Sequence, residues 1–261
     1  MSRRLRSVLL PLAVGAVVIA VWYVASLVLL PERRRFILPP PHEVVAVAFF
    51  DLDNLRELLA PIGVSAQVAL VGLLIAAVLG IGTAMLMSQA RWVETALFPY
   101  AVALQSVPIL ALVPLIAFAL GYGFGSRILV VILISLFPII TNTLFGLKST
   151  TTLQEDLFTL KRSGRWTRLV RLQLPAALPA IFTGLRISAG MAVVGSIVAD
   201  FFFRRGEAGI GLQIDTYRNL LAGEMLYGAI ILASLLGLAT FWAFGLLSHL
   251  VVGSWYRPQR R

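Results

Sequence analysis

Long apolar runs broken by short polar segments make up this chain, and six of the runs are long enough to cross a bilayer. A helix needs about 20 apolar residues to span ~30 Å of hydrocarbon, a length reached by Val8–Leu30, Pro61–Met87, Ala96–Leu120, Ile128–Leu147, Leu178–Ala199 and Met225–Val252. Lipid offers no hydrogen bonds to the backbone, so runs of this length predict helices. The expected fold is an all-α membrane protein with six transmembrane helices.

The interruptions carry further information. Between the first two runs, Leu38-Pro39-Pro40-Pro41-His42-Glu43 breaks any helix, and Pro39 to Pro41 are predicted to be extended. Val44 to Leu59 then alternates apolar and acidic residues, which predicts a short helix resting at the outer interface. Pro108, Pro114 and Pro138 predict kinks whose freed carbonyls lie beside a cavity. Small residues recur four apart at Gly72, Ala76, Gly80, Ala84 and Ser88, and again at Gly184, Ser188, Ala192 and Ser196, with Asp200 on the same face. Because lipid gives helices no hydrophobic drive to associate, such stripes mark close packing or, for the second, the border of a pore.

One polar segment stands apart. From Thr151 onward it carries Asp156, Lys161, Arg162, Arg165, Arg168 and Arg171 in a chain that is otherwise mostly apolar. Leu153, Leu157, Phe158 and Leu160 recur at helical spacing, as do Trp166, Leu169, Val170 and Leu172, with Ser163-Gly164 between the two groups. The pattern predicts two short amphipathic helices joined by a turn, lying on the membrane surface and suited to a soluble partner. Pro175 and Pro179 are expected to end this surface element and open the next span.

Composition agrees with a membrane protein. Hydrophobic residues make up 59% and charged residues only 13%, against ~25% charged in soluble domains, and the mean hydropathy is +0.91. The net charge of +10 does not indicate nucleic acid, since the cations are scattered at the ends of apolar runs. They do set an orientation. With both termini inside, the inner segments hold thirteen cations against three acids, and the outer segments eight cations against nine acids. Lys and Arg are retained on the cytoplasmic side, so a multi-pass protein of the cell membrane with both termini cytoplasmic is expected. The first run is about twice the length of a signal-peptide core and reads as an uncleaved span.

Chemistry is sparse. Without cysteine there is no disulfide, thiolate ligand or thiol nucleophile, and His42 and His249 fall on opposite sides of the membrane in this topology. Gly146-Leu147-Lys148-Ser149-Thr150 lacks the Gly-Lys pair of a phosphate-binding loop, so ATP has to act through another chain. Polar side chains at membrane depth include Arg186, expected to snorkel or to pair within the bundle. Burying an amide without a partner costs roughly 2–7 kcal/mol, so Gln105 and Asn142 should face a neighbour or a wet path. The candidates for that path are Gln105, Ser106, Thr141, Asn142, Ser188, Ser196 and Asp200, although Asp200 with Phe201, Phe202 and Phe203 also fits an interfacial belt.

Set against known families, these residues resemble the permease subunits of binding-protein-dependent ABC importers of type I, in the branch handling sulfonates, taurine, nitrate, thiamine precursors and riboflavin. That family carries a cytoplasmic loop of the form Glu-Ala-Ala, three residues, Gly, nine residues, Ile, one residue, Leu-Pro. Here Asp156-Leu157-Phe158 stands at Glu-Ala-Ala, Arg162 at the glycine, Leu172 at the isoleucine and Leu174-Pro175 at Leu-Pro, with Gly164 two residues late. Pro108 to Pro114, Gly121 to Arg127, Phe137 to Thr143 with Gly146, Gly184-Leu185-Arg186 and Gly209-Ile210-Gly211 extend the resemblance over roughly Val64 to Ile214.

The resemblance implies one permease domain over 1–261, with the first span and an outer elbow in 1–60, a five-span core in 61–252, a coupling loop in 148–177 and a basic tail in 253–261. It implies coupling to a cytoplasmic ATPase through Leu153, Asp156, Leu157, Phe158, Arg162, Gly164, Trp166, Leu172, Leu174 and Pro175. ATP and Mg would sit on that ATPase, with no cofactor on this chain. An extracytoplasmic binding protein would deliver a small solute, a ring compound such as a pyrimidine or riboflavin before a sulfonate or nitrate, and a second permease copy would complete the path. The alternative is a self-contained secondary transporter or channel, against which stand the lack of a paired internal repeat and of mid-span acids.

Overall fold

In this computed structural model the described residues are 3–203 and 206–253, with side chains from residue 8 onward. The basic tail, with Arg257, Arg260 and Arg261, and the outer cations Arg204 and Arg205 lie outside the described residues. All regular structure among the described residues is helical: α1 Arg3–Val24, α2 Pro41–Val45, α3 Leu52–Gln89, α4 Arg91–Ser106, α5 Ile109–Leu120, α6 Phe124–Leu147, α7 Thr152–Leu160, α8 Arg165–Arg168, α9 Leu174–Phe202, α10 Ile210–Leu220 and α11 Gly223–Val252. Five stretches are long and apolar enough to cross a membrane, and the pair α4 and α5 makes a sixth if counted as one broken span.

Three expectations are corrected by the helix boundaries. First, Val44 to Leu59 is not one helix. After α2 and a π turn at Ala46–Phe50, Asp51 turns extended, and its carboxylate accepts from the Asp53 and Asn54 amides at 2.9 and 3.3 Å. That N-cap starts α3, which runs unbroken through Pro61 to Gln89 and absorbs the second half of the expected helix. Pro41 opens α2 at its first turn and is not part of an extended run.

Second, Ala96 to Leu120 is not one continuous helix but breaks at Pro108, the first of the expected kinks. Pro108 bars the helical region to the residue before it, and Val107 is accordingly extended at φ −74°, ψ 127°. The two pieces meet at 96°. Third, Pro175 does not end the surface element. The chain continues from α8 through a π turn at Leu169–Gln173 into α9, the Leu174 amide bonding the Leu169 carbonyl five residues back. The wider turn lets the helix pass a residue with no amide to give.

Packing centres on α6 and α9, with α3 laid across both. Val68, Leu73, Ala76, Val131, Ile139, Ala189 and Val193 form the buried middle. Both small-residue stripes serve this packing: Gly72 and Gly80 admit Val131 and Ile139 of α6 against α3, and Ala192 lies in the same core. At Gly184 a Cβ would stand 2.9 Å from both Asn142 Cβ and the Pro138 carbonyl, closer than side chains tolerate. By contrast α1, from Val8 on, presents nearly all its side chains outward. It is fastened only near its end, where Trp22 donates to the Pro39 carbonyl at 3.0 Å and its ring lies 5.5 Å from that of Tyr227 on α11.

Candidate functional site

The polar hairpin is built from the sequence outward. Thr151 caps α7 with a reciprocal box: its hydroxyl accepts from the Gln154 amide while the Gln154 side chain accepts from the Thr151 amide at 3.0 Å. At the other end the Arg162 amide bonds the Thr159 carbonyl and the Ser163 amide bonds the Phe158 carbonyl. This is the helix stop that turns the chain left-handed, and the residue that does so is Arg162, at φ +49°. Gly164, extended, precedes α8.

Inside the hairpin Glu155 is a brace. It accepts from Thr150 at 2.7 Å and pairs with Arg168 at 3.1 Å, and Arg168 also donates to Thr159 at 3.0 Å. The brace leaves the apolar edge of α7 uncovered: Leu153 is 74% exposed and Leu160 81%, with Leu157, Asp156 and, on α8, Trp166 exposed beside them. Phe158, Leu172 and Leu174 are half-buried, Leu174 against the core between α3, α6 and α9, and Pro175 is exposed. Lys148 pairs with Glu94, tying the end of α6 to the start of α4 at this same end of the molecule.

At mid-depth the break between α4 and α5 opens a cavity of about 290 Å³, lined by Leu104, Gln105, Val107, Ile109, Leu133, Ile134, Phe137, Pro138 and Met191. Gln105 is the only polar side chain in that lining. Ser106 lies beside it with its hydroxyl returned to the Val102 carbonyl at 3.0 Å. Just past Pro138, Thr141 donates to the Phe137 carbonyl at 2.9 Å and Asn142 to the Pro138 carbonyl at 2.8 Å.

Three other path candidates are placed elsewhere. Ser188 donates to the Ser135 carbonyl at 2.8 Å across the α6–α9 contact, Ser196 donates to Val193 at 2.9 Å, and both are fully buried. Asp200 is fully buried as well, at the end of the bundle away from the hairpin. Its Oδ1 pairs with Arg127 at 3.1 Å, and its Oδ2 accepts from the Ser65 hydroxyl at 2.7 Å and from the Gly211 amide at 3.3 Å. Ser65 accepts in turn from the Ile210 amide at 2.9 Å. Gly209-Ile210-Gly211 is explained by this: the backbone lies directly on Asp200, and a Cβ at either glycine would collide with its carboxylate or with the Ile197 carbonyl. Asp200 therefore belongs to a network between α3, α6, α9 and α10 and does not line the mid-depth cavity.

Arg127 and Glu155 are the residues that the sequence pattern did not single out. Their signal was position: a cation in the first turn of one apolar run, and an acid one turn ahead of a basic stretch. Arg186 neither reaches an acid among the described residues nor stands free. Its guanidinium lies 3.9 Å from the Phe241 ring centroid and passes over Gly245. On α10, burial and then the neighbouring Glu57 raise the Tyr217 pKa, keeping its hydroxyl a donor to Glu57 at 2.8 Å.

The sequence resembles known proteins over most of its length. Residues 72–253 match the family model described as the binding-protein-dependent transport system inner membrane component. The chain is 32% identical over 228 residues to the formylaminopyrimidine transport permease protein of Halalkalibacterium halodurans, covering 87% of this chain and 88% of that one. It is 33% identical over 162 residues to the riboflavin transport system permease protein of Chloroflexus aurantiacus, covering 62% and 60%. It is 34% identical over 223 residues to the putative aliphatic sulfonates transport permease protein of Escherichia coli, covering 84% and 82%. The chain belongs to this family of binding-protein-dependent permeases, as a multi-pass transport subunit of an ABC importer.

Proposed function

We propose that this permease forms half of the path of an ATP-driven importer, with the hairpin α7–α8 on the cytoplasmic side as the surface that a separate ATPase grips. The observation that carries the reading is the uncovered apolar edge Leu153, Leu157 and Leu160, held out on a hairpin that is braced internally by Glu155 and Arg168. A brace makes the hairpin stiff, so a push on it moves α9, with which α8 is continuous through the π turn. ATP and Mg belong to the ATPase, a binding protein on the opposite side delivers the solute, and both termini of the permease are cytoplasmic. Asp156, Arg162, Gly164, Trp166 and Phe158 shape the gripped face, and Leu172, Leu174 and Pro175 carry it into the bundle.

For the solute we favour a small neutral ring compound such as a pyrimidine or flavin. The cavity is lined by apolar side chains, Gln105 and one aromatic ring, with no charged side chain, which suits a ring with hydrogen-bonding groups better than an anion. Two of the similar permeases are named for formylaminopyrimidine and riboflavin. Gln105, Ser106, Thr141 and Asn142 are the polar groups proposed for the path.

The test of coupling is a Leu153→Asp, Leu157→Asp double variant in membranes that also contain the ATPase. Co-purification should fall at least about tenfold while the permease stays membrane-inserted, since two charges replace the desolvated centre of a contact. Undiminished ATPase binding and uptake would remove the coupling assignment. For the solute, calorimetry on the binding protein should show tight pyrimidine or flavin binding, and tight nitrate or alkylsulfonate binding would overturn the preference.

A further inference from the structure

The buried ion pair between Arg127 and Asp200 does more than join two helices. The Arg127 guanidinium also donates to the Phe203 carbonyl at 2.7 Å and to the Glu207 carbonyl at 2.8 Å, so it holds both sides of the connection between α9 and α10. Asp200 fixes the start of α10 through Gly211, and Ser65 adds the Ile210 amide. Four bonds from three side chains thus anchor one connection onto α3, α9 and the first turn of α6.

Phe203 passes this anchoring on to the path. Its side chain is fully buried against Val113, Ile116 and Ala117 of α5, and its ring meets Tyr122 edge-on at 6.3 Å between centroids. Helix α5 is the short arm beyond the break at Val107-Pro108, and Ile109 at its start lines the mid-depth cavity. A continuous series of contacts therefore runs from the ion pair through Phe203 and α5 to the cavity wall. Both side chains are buried, Asp200 fully and Arg127 to 3% exposure, and Arg127 also borders a second cavity of about 270 Å³ with Gln67, Phe124 and Glu207.

We propose that Arg127 and Asp200 are positioning residues that keep the end of the path facing the binding protein closed, by seating Phe203 as the stop on which α5 rests. This rests on the orientation argued above, in which the Asp200 end is outside. Taking away either partner breaks the buried pair, and the group that remains is better solvated when water enters at that end. The Phe203 carbonyl and the start of α10 then lose their fixed position, α5 loses its stop, and the cavity opens outward.

The experiment uses the natural absence of cysteine. With Met191→Cys as a single reporter on the cavity, intact cells are treated from outside with a charged, membrane-impermeant methanethiosulfonate reagent. Asp200→Asn and Arg127→Met should each label about tenfold faster than the reporter alone, because a modest change in the open population suffices for such a shift. Arg127→Lys, which keeps the charge against Asp200, should restore much of the protection. Lys161→Cys on the hairpin should stay unlabelled in all of them until the membrane is permeabilised, which separates local opening from general unfolding. If Asp200→Asn fails to reach the membrane, Ser65→Ala decides, with labelling raised several-fold in the same sense. Unchanged labelling of Met191→Cys in membrane-inserted variants overturns the proposal, as does equal labelling by Lys and Met at position 127. Labelling of Lys161→Cys from outside in the parent chain would instead overturn the orientation.

Discussion

A single backbone angle links the family motif to the fold. Spacing set Arg162 where relatives of this type carry glycine, and Arg162 is the residue at φ +49°, a region costly for a side chain with a Cβ. Arg162→Gly should therefore stabilise the helix stop by about 1 kcal/mol, seen as slower hydrogen exchange at the Ser163 amide, whereas Arg162→Val should speed it. No change in either variant would mean that the turn is held by the brace at Glu155 and not by its own geometry. The motif position was legible in the sequence because a fixed distance from Leu174-Pro175 survives substitution. The roles of Asp200 and Arg127 were not, because they depend on which residues the fold brings together from 73 positions apart. Gly184 lies between: the stripe marked it as a packing residue, and its neighbour Asn142 emerged only from the α6–α9 contact. Gly184→Ala should cost about 1–3 kcal/mol by overpacking, measurable as a lowered unfolding midpoint in detergent, and a neutral result would show that Asn142 can yield.

Among the elements, the long spans were legible and their ends were not. Hydrophobic length alone determined that α3, α6, α9 and α11 cross the membrane, but apolar content says nothing about direction, so α4 and α5 read as one helix. What separates them is steric: Pro108 excludes Val107 from the helical region, and the two helices leave the break at 96°. Pro61, Pro114 and Pro138 sit inside continuous helices, so proline by itself was an ambiguous signal and only the extended residue before it was decisive. Pro108→Ala removes that exclusion. Spin labels at positions 92 and 120 should then move from about 30 Å apart toward about 42 Å, the length of a straight helix over the same residues, and solute uptake should fall as the cavity closes. Labels that stay near the shorter distance would show that packing on Phe203, and not the proline, sets the bend.

For the whole molecule the question is what completes the walls. Gln105, Val107 and Met191 border the cavity and are exposed in the single chain, as are Phe118 on α5 at 88% and most of α1 from Val8 on. Lipid can cover apolar α1, but an amide such as Gln105 facing hydrocarbon would lose its hydrogen bonds at a cost of several kcal/mol. A second copy of the chain placed against this side would enclose the amide in a shared wet path and supply a further wall. Closed two-fold assembly is also the commonest way for identical chains to associate. The permease in lipid nanodiscs, reconstituted with its ATPase, should therefore weigh as two 28.4 kDa copies of this chain. Gln105→Leu should leave that mass unchanged while cutting uptake, because it removes the polar group of the path and not the interface. A particle containing one copy, still active in uptake, would mean that the single bundle carries the solute by itself and that Gln105 finds its partner in the solute alone.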